Sequence, residues 1–254
     1  MRLFLQTYYI LFFYILYNRV YQFVNFILPL EPDYVFFAKL LSVFKQEIHS
    51  VIFLLALFCC LLSIFKPWRS LRVLNSLFIL ILISIVSSYG KIDYPYHAFV
   101  LSSVLVCFFN ENKDLNSRPN FFILRLIQGM FLSHYFMSGL WKLREMISVR
   151  FEFSLYEIAG TYIAYTLTPG GTNPIVELVL HNPWLLSFGY FCVLIFQLTA
   201  LIPVFLNQFF KLYGVLALLF HLSTGVSMDV YFVPTVMMVL FFFIIAESMR
   251  ECRV

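Results

Sequence analysis

The sequence predicts an all-α fold, a polytopic integral membrane helical bundle of about 8 spans with a non-cytoplasmic re-entrant or interfacial loop. Three observations predict it. The 254 residues are 62% hydrophobic and 12% charged, with a mean hydropathy of +0.88, whereas soluble domains carry roughly 25% charged residues. Several windows of about 20 residues hold almost no charge, and that length crosses a bilayer as a helix. The apolar runs are continuous, as in LFILILISIV at 77–86, where a barrel strand alternates apolar with polar residues.

Taken in order, Met1 and Arg2 precede an apolar, aromatic run with no small-residue cleavage site after it, so an uncleaved first helix or interfacial segment is expected rather than a signal peptide. The predicted spans are 4–28, 49–65, 73–89, 96–109, 121–141, 185–206, 212–228 and 231–247. Asn18 and Arg19 interrupt the first. No internal repeat, low-complexity stretch or linker divides the chain, so residues 1–254 read as one membrane domain.

Basic residues set the orientation. Loop 66–72, KPWRSLR, holds Lys66, Arg69 and Arg72 and no acid. Lys113, Arg118 and Arg125 lie at the next loop on that side, followed by Lys211, Arg250 and Arg253, and Arg2 joins them. The other side holds Lys39, Lys45, Lys91, Lys142, Arg144 and Arg150. Lys and Arg concentrate in cytoplasmic loops, so both termini are expected in the cytoplasm. The long connection 142–184 is then expected outside, where its TPGGTNP turn cluster at 168–174 separates short interfacial or re-entrant pieces.

Three polar groups are then predicted at one depth in the outer leaflet. His97 opens the span 96–109, Lys142 closes the span 121–141, and His221 lies two-thirds along 212–228. The plain reading of Lys142 is a lysine snorkelling at a helix end, and that of His97 an interfacial histidine. His221 is harder to dismiss, because an ionisable group well inside a span is costly and points to function. The positions His134, Ser138, Trp141, Lys142 and Glu145 follow i, i+4, i+7, i+8 and i+11 spacing and are expected on one helix face. Gly139 lets another backbone approach closely. A lysine partly withdrawn from water gives up its proton more readily and can serve as a base, provided that Glu145 and Glu152 do not pair with it.

Other chemistry is poorly supported. Gln197, mid-span and ahead of the kink residue Pro203, carries little information by itself. Asp229 follows His221 at the outer mouth, and His49 and His181 are expected in or beside loops. The five cysteines, Cys59, Cys60, Cys107, Cys192 and Cys252, form no C-x-x-C and read as packing residues. No H-E-x-x-H or similar spacing implies a metal, and no Gly-rich phosphate loop or G-x-S-x-G is present. Net charge +4, spread over short loops, gives no basis for nucleic-acid binding.

The segments YFMSGLWKLRE and LLFHLSTGVSMDVYFVPTVMMVLFFF resemble the membrane domain of the vitamin K-dependent γ-carboxylases and their bacterial HTTM (horizontally transferred transmembrane) relatives. Tyr135, Phe136, Ser138, Gly139, Lys142 and Leu143 fit that family's Tyr-Phe-x-(Ala/Ser)-Gly-x-x-Lys-Leu signature, Phe220, His221 and Phe232 fit a later helix, and His97 fits an earlier one. The resemblance spans about residues 90–247. It implies a lyase-like membrane enzyme in which Lys142 is the base that starts the reaction of a reduced quinone (vitamin K hydroquinone-like), with His97 and His221 assisting and His134, Ser138 and Trp141 around the cofactor. Two departures bear on the substrate. The carboxylase has a large non-cytoplasmic domain after its membrane helices, where seven residues follow the last predicted span here. Many relatives also carry an acid in the helix where Gln197 stands. The implied partners are membrane lipid and a peptide or small-molecule substrate reached from the outer face. An alternative from another class is a non-catalytic membrane partner for maturation of, or immunity to, a secreted peptide.

Overall fold

The computed structural model describes residues 1–17, 46–88, 94–148, 181–228 and 232–252, and every regular element among them is helical. In order these are α1 (Arg2–Ile15), α2 (Gln46–Phe65), α3 (Arg69–Ser88), α4 (Tyr94–Val106), α5 (Arg118–Ser148), α6 (Pro183–Leu198), α7 (Ile202–Leu206), α8 (Phe210–Met228), α9 (Val233–Val239), a π-helical segment (Leu240–Ile245) and α10 (Ala246–Glu251). Two helical stretches among the described residues, Ser187–Leu206 and Val233–Glu251, are long and apolar enough to cross a membrane, and Val51–Phe65 and Phe210–Gly225 are shorter apolar helices. The predicted connection 150–180, with Glu152 and the turn cluster, lies outside the described residues, as do Asn18, Arg19 and Asp229.

Three elements differ from the sequence expectation. Helix α5 does not stop where its apolar run stops but continues from 141 to Ser148. Lys142, Leu143, Arg144, Glu145 and Met146 are all good helix formers, and no Gly or Pro follows to end the helix. Charge therefore closed the apolar run without closing the helix. The segment 185–206 is broken: α6 ends at Leu198, a tight turn follows, and α7 restarts with Pro203 in its first turn. Pro203 has no N–H to give to the preceding turn, and its ring crowds the carbonyl four residues earlier, so the break falls just before it. The last apolar segment passes through a π-helical turn at Leu240–Ile245.

The chain forms two compact units. The first comprises Met1–Ile127, Val233–Phe241 and Met249–Val254. Its interior is aromatic: Phe12 stacks on Phe99 with centroids 4.1 Å apart, and Phe4 packs edge-on against Phe109 at 5.3 Å and at a tilt against Phe241 at 4.8 Å. Such ring pairs contribute about 0.5–1.5 kcal/mol each beyond the area they bury. Cys60, a packing residue as its sequence context implies, donates to the Tyr9 carbonyl at 3.4 Å.

The second unit comprises Gln128–Phe232 and Phe242–Ser248. Two glycines set its helix spacing. A Cβ on Gly139 would lie 2.9 Å from Gln197 Cβ and 3.1 Å from the Gln197 carbonyl carbon, so α5 and α6 touch there at backbone distance. A Cβ on Gly214 would overlap Phe243 Cβ, so α8 also meets the π segment at backbone distance. A side-chain amide also ties the helices together. Gln128 Nε2 donates to the Phe242 carbonyl, at 2.8 Å, and to Glu247 Oε1, also at 2.8 Å. A π turn leaves carbonyls out of register with the helical ladder, and one of them is met here by a glutamine from another helix.

Candidate functional site

Helix α5 carries Tyr135, Ser138, Gly139 and Lys142 at i, i+3, i+4 and i+7. At about 100° per residue these project from a single stripe. Tyr135 and Gly139 are buried, and Ser138 and Lys142 are half-buried. The stripe faces α6 through Gln197 and α8 through His221.

Lys142 Nζ donates to Ser138 Oγ at 3.0 Å and to Gln197 Oε1 at 3.0 Å. Gln197 Nε2 lies 3.4 Å from the same Ser138 hydroxyl, closing a triangle of three polar side chains. Gln197 is 1% exposed and sits in the last turn of α6, where the helix break leaves its carbonyl to accept from the Ala200 N–H at 3.2 Å. Close approach at Gly139 is what brings the amide within reach of the lysine. Both acceptors are neutral, and no acid among the described residues pairs with Lys142. The Glu145 side chain and all of Glu152 lie outside the described residues.

The direction of the lysine side chain argues against simple snorkelling. A snorkelling head reaches past the end of its helix into water. Here two further turns of α5 follow Lys142, and Nζ folds back one turn toward Ser138.

Two turns before Lys142, about 10 Å down the helix axis, the Tyr135 hydroxyl lies 2.7 Å from His221 Nε2. His221 is 7% exposed, and its Nδ1 has no hydrogen-bond partner among the described residues. Either tautomer therefore leaves one ring nitrogen unused. If Tyr135 donates, Nδ1–H is a spare donor; if Nε2–H donates, Nδ1 is a spare acceptor. The surroundings are aromatic: Tyr135 packs on Phe196 at 5.4 Å, Phe220 on His221 at 5.1 Å, and Phe232 on His221 at 5.3 Å.

Of the residues singled out in the sequence, the structure joins Lys142 to Ser138, with Gln197 added, and separately pairs His221 with Tyr135, two turns away on α5. His134 and Trp141 are exposed, with Arg144 lying over the Trp141 ring at 5.4 Å. The polar face predicted from 134, 138, 141, 142 and 145 is centred about 65° around the helix from the stripe that is buried, taking 100° per residue. His97 lies on α4, and its side chain is outside the described set. His181 is exposed, beside the start of α6. Gln197 was detectable in principle, since an amide within an apolar run commonly bonds to a neighbouring helix; what could not be read was its partner.

No family model matches the chain, and neither a curated protein nor a solved structure is similar to it.

Proposed function

We propose that this is a multi-pass integral membrane enzyme that takes a reduced quinone or similar lipid-soluble cofactor at its outer face, with Lys142 as the base. Both termini are cytoplasmic in this reading, as the Lys and Arg distribution requires of about eight spans. The observation that carries it is the setting of the lysine. An ammonium offers three N–H donors, and among the described residues two acceptors meet Nζ, Ser138 Oγ and Gln197 Oε1. A neutral amine has two N–H groups and one lone pair. The two acceptors match the two N–H groups, and the lone pair is left to take a proton. A carboxylate in place of Gln197 would favour the ammonium and oppose that role.

The Tyr135–His221 pair supports the same reading. A quinol presents aromatic ring faces and two hydroxyl groups. Phe196, Phe220 and Phe232 supply ring contacts, and the unused His221 nitrogen supplies one further hydrogen bond. In this proposal Lys142 removes a hydroxyl proton, Ser138 and Gln197 orient the amine, and Tyr135 fixes the imidazole.

The test is extraction of bound lipid from the purified chain. Quinone should co-purify with the native protein and be depleted in His221→Ala, while Lys142→Arg inserts normally but is inactive in a cell-based complementation assay. Native protein free of quinone, together with full complementation by Lys142→Arg, would leave the non-catalytic membrane partner as the better reading.

A further inference from the structure

The first unit holds a second polar centre that the lysine site does not use. Arg72, on the first turns of α3, is 1% exposed. One of its nitrogens, Nη2, donates to the Phe109 carbonyl at 2.9 Å. Nε and Nη1, which carry three N–H groups between them, have no hydrogen-bond partner among the described residues. Asn75, one turn further along α3, is also 1% exposed, and neither its Nδ2 nor its Oδ1 has a hydrogen-bond partner among the described residues. Residues three apart share a helix face, so five unmet N–H groups and one unmet carbonyl oxygen stand on one side of α3.

No acid among the described residues forms an ion pair with Arg72; Glu111 and Tyr9 are within electrostatic reach only. Leaving a guanidinium buried and uncompensated is strongly unfavourable. Water could satisfy the hydrogen bonds but would not neutralise the charge. The approach is also cationic, because Lys66 and Arg69 are exposed just ahead of Arg72, and Arg2 Nη2 binds the Phe65 carbonyl at 3.2 Å.

We propose that Arg72 and Asn75 form a receptor for a phosphate group, free or as the phosphomonoester head of a lipid. Phosphate supplies several acceptor oxygens for the guanidinium and the Asn75 amide N–H groups, and arginine is well suited to recognising it. A monoprotonated phosphate also supplies the O–H that Asn75 Oδ1 lacks. Sulfate has no such proton at neutral pH, and neither does a phosphodiester. Basic pockets between membrane helices hold anionic headgroups in this manner.

The experiment is thermal unfolding of the full chain in detergent with inorganic phosphate, with sulfate at matched ionic strength, and with micelles doped with phosphatidic acid or phosphatidylcholine. At about a hundredfold excess over Kd, a ligand specific to the native state should raise Tm by roughly 5–10 °C for a chain of this size. A rise with inorganic phosphate identifies a free anion; a rise with phosphatidic acid alone identifies a lipid headgroup. Arg72→Met should lose the response and melt below native protein whenever the ligand is present. Asn75→Ala keeps the charge and should weaken the response about tenfold in concentration, so it serves if Arg72→Met fails to fold. The proposal is overturned if neither probe moves native Tm, if sulfate stabilises native and Asn75→Ala protein as well as phosphate does, or if Arg72→Met is at least as stable as native protein in every mixture.

Discussion

Lys142 and Gln197 stand 55 residues apart in the chain and 3.0 Å apart in space, the lysine Nζ donating to the amide Oε1. The contact exists because Gly139, on the same stripe of α5, has no side chain to hold α6 away. It makes the lysine part of an interhelical polar cluster, and its consequences can be measured.

Lys142→Arg keeps the charge and length but cannot deprotonate. Lys142→Ala removes both. If Lys142 is a base, the two substitutions should depress activity to a similar degree, by about 10²–10⁴-fold, with insertion unchanged. A cell phenotype restored by native protein provides the readout. Complementation by the arginine variant at native level would show that only the charge matters.

Gln197→Glu places a carboxylate against the ammonium with almost no change in volume. The pair would hold the lysine protonated, so activity at neutral pH should fall and the rising limb of the pH–activity profile should move to higher pH. Gln197→Ala should reduce activity without that displacement. An unchanged profile in Gln197→Glu would separate Gln197 from the chemistry of Lys142.

Gly139→Ala tests the close approach directly. The added methyl group would meet Gln197 and the Leu198 backbone at 2.9–3.1 Å, where neither can easily yield. A stability loss of about 1–3 kcal/mol is expected for such overpacking, read as a lower Tm in detergent, with activity falling alongside. Gly189, which has open space around it, is the control; alanine there should be neutral within about 0.5 kcal/mol.

Tyr135 and His221 can be examined by a double-mutant cycle with Tyr135→Phe and His221→Ala. Their hydrogen bond is 2.7 Å long and buried, so a coupling of about 0.5–3 kcal/mol is expected. Strict additivity would mean that the two side chains are stabilised independently.

Orientation is open to thiol labelling. Cysteines introduced singly at Ser70 and Thr172, in a background without accessible Cys192 and Cys252, should react differently with an impermeant reagent on intact cells. Only position 172 should label. Labelling of position 70 alone would put the lysine site on the cytoplasmic side.

Much of this protein was legible from the chain itself. Continuous apolar runs specified helices because a helix satisfies its own backbone, and each of these runs carries a helix in its described part, while among the described residues two helical stretches are long and apolar enough to cross a membrane. The lysine and His221 stood out because ionisable groups are rare in such runs. The limits were equally physical. Hydropathy registers charge, not helix propensity, so it ended α5 at 141 when the backbone runs on to Ser148. Spacing told which residues share a side of α5 but not which side is covered, and His134 and Trp141 proved exposed while Tyr135 is buried. Partners were beyond reach altogether: that Gln197 answers Lys142, that Tyr135 answers His221, and that Arg72 and Asn75 are left unanswered depends on which helices lie against which. Local pattern determines helices because their bonds are local; contacts between residues tens of positions apart are decided only when glycines, a proline break and a π turn set how closely the helices pack.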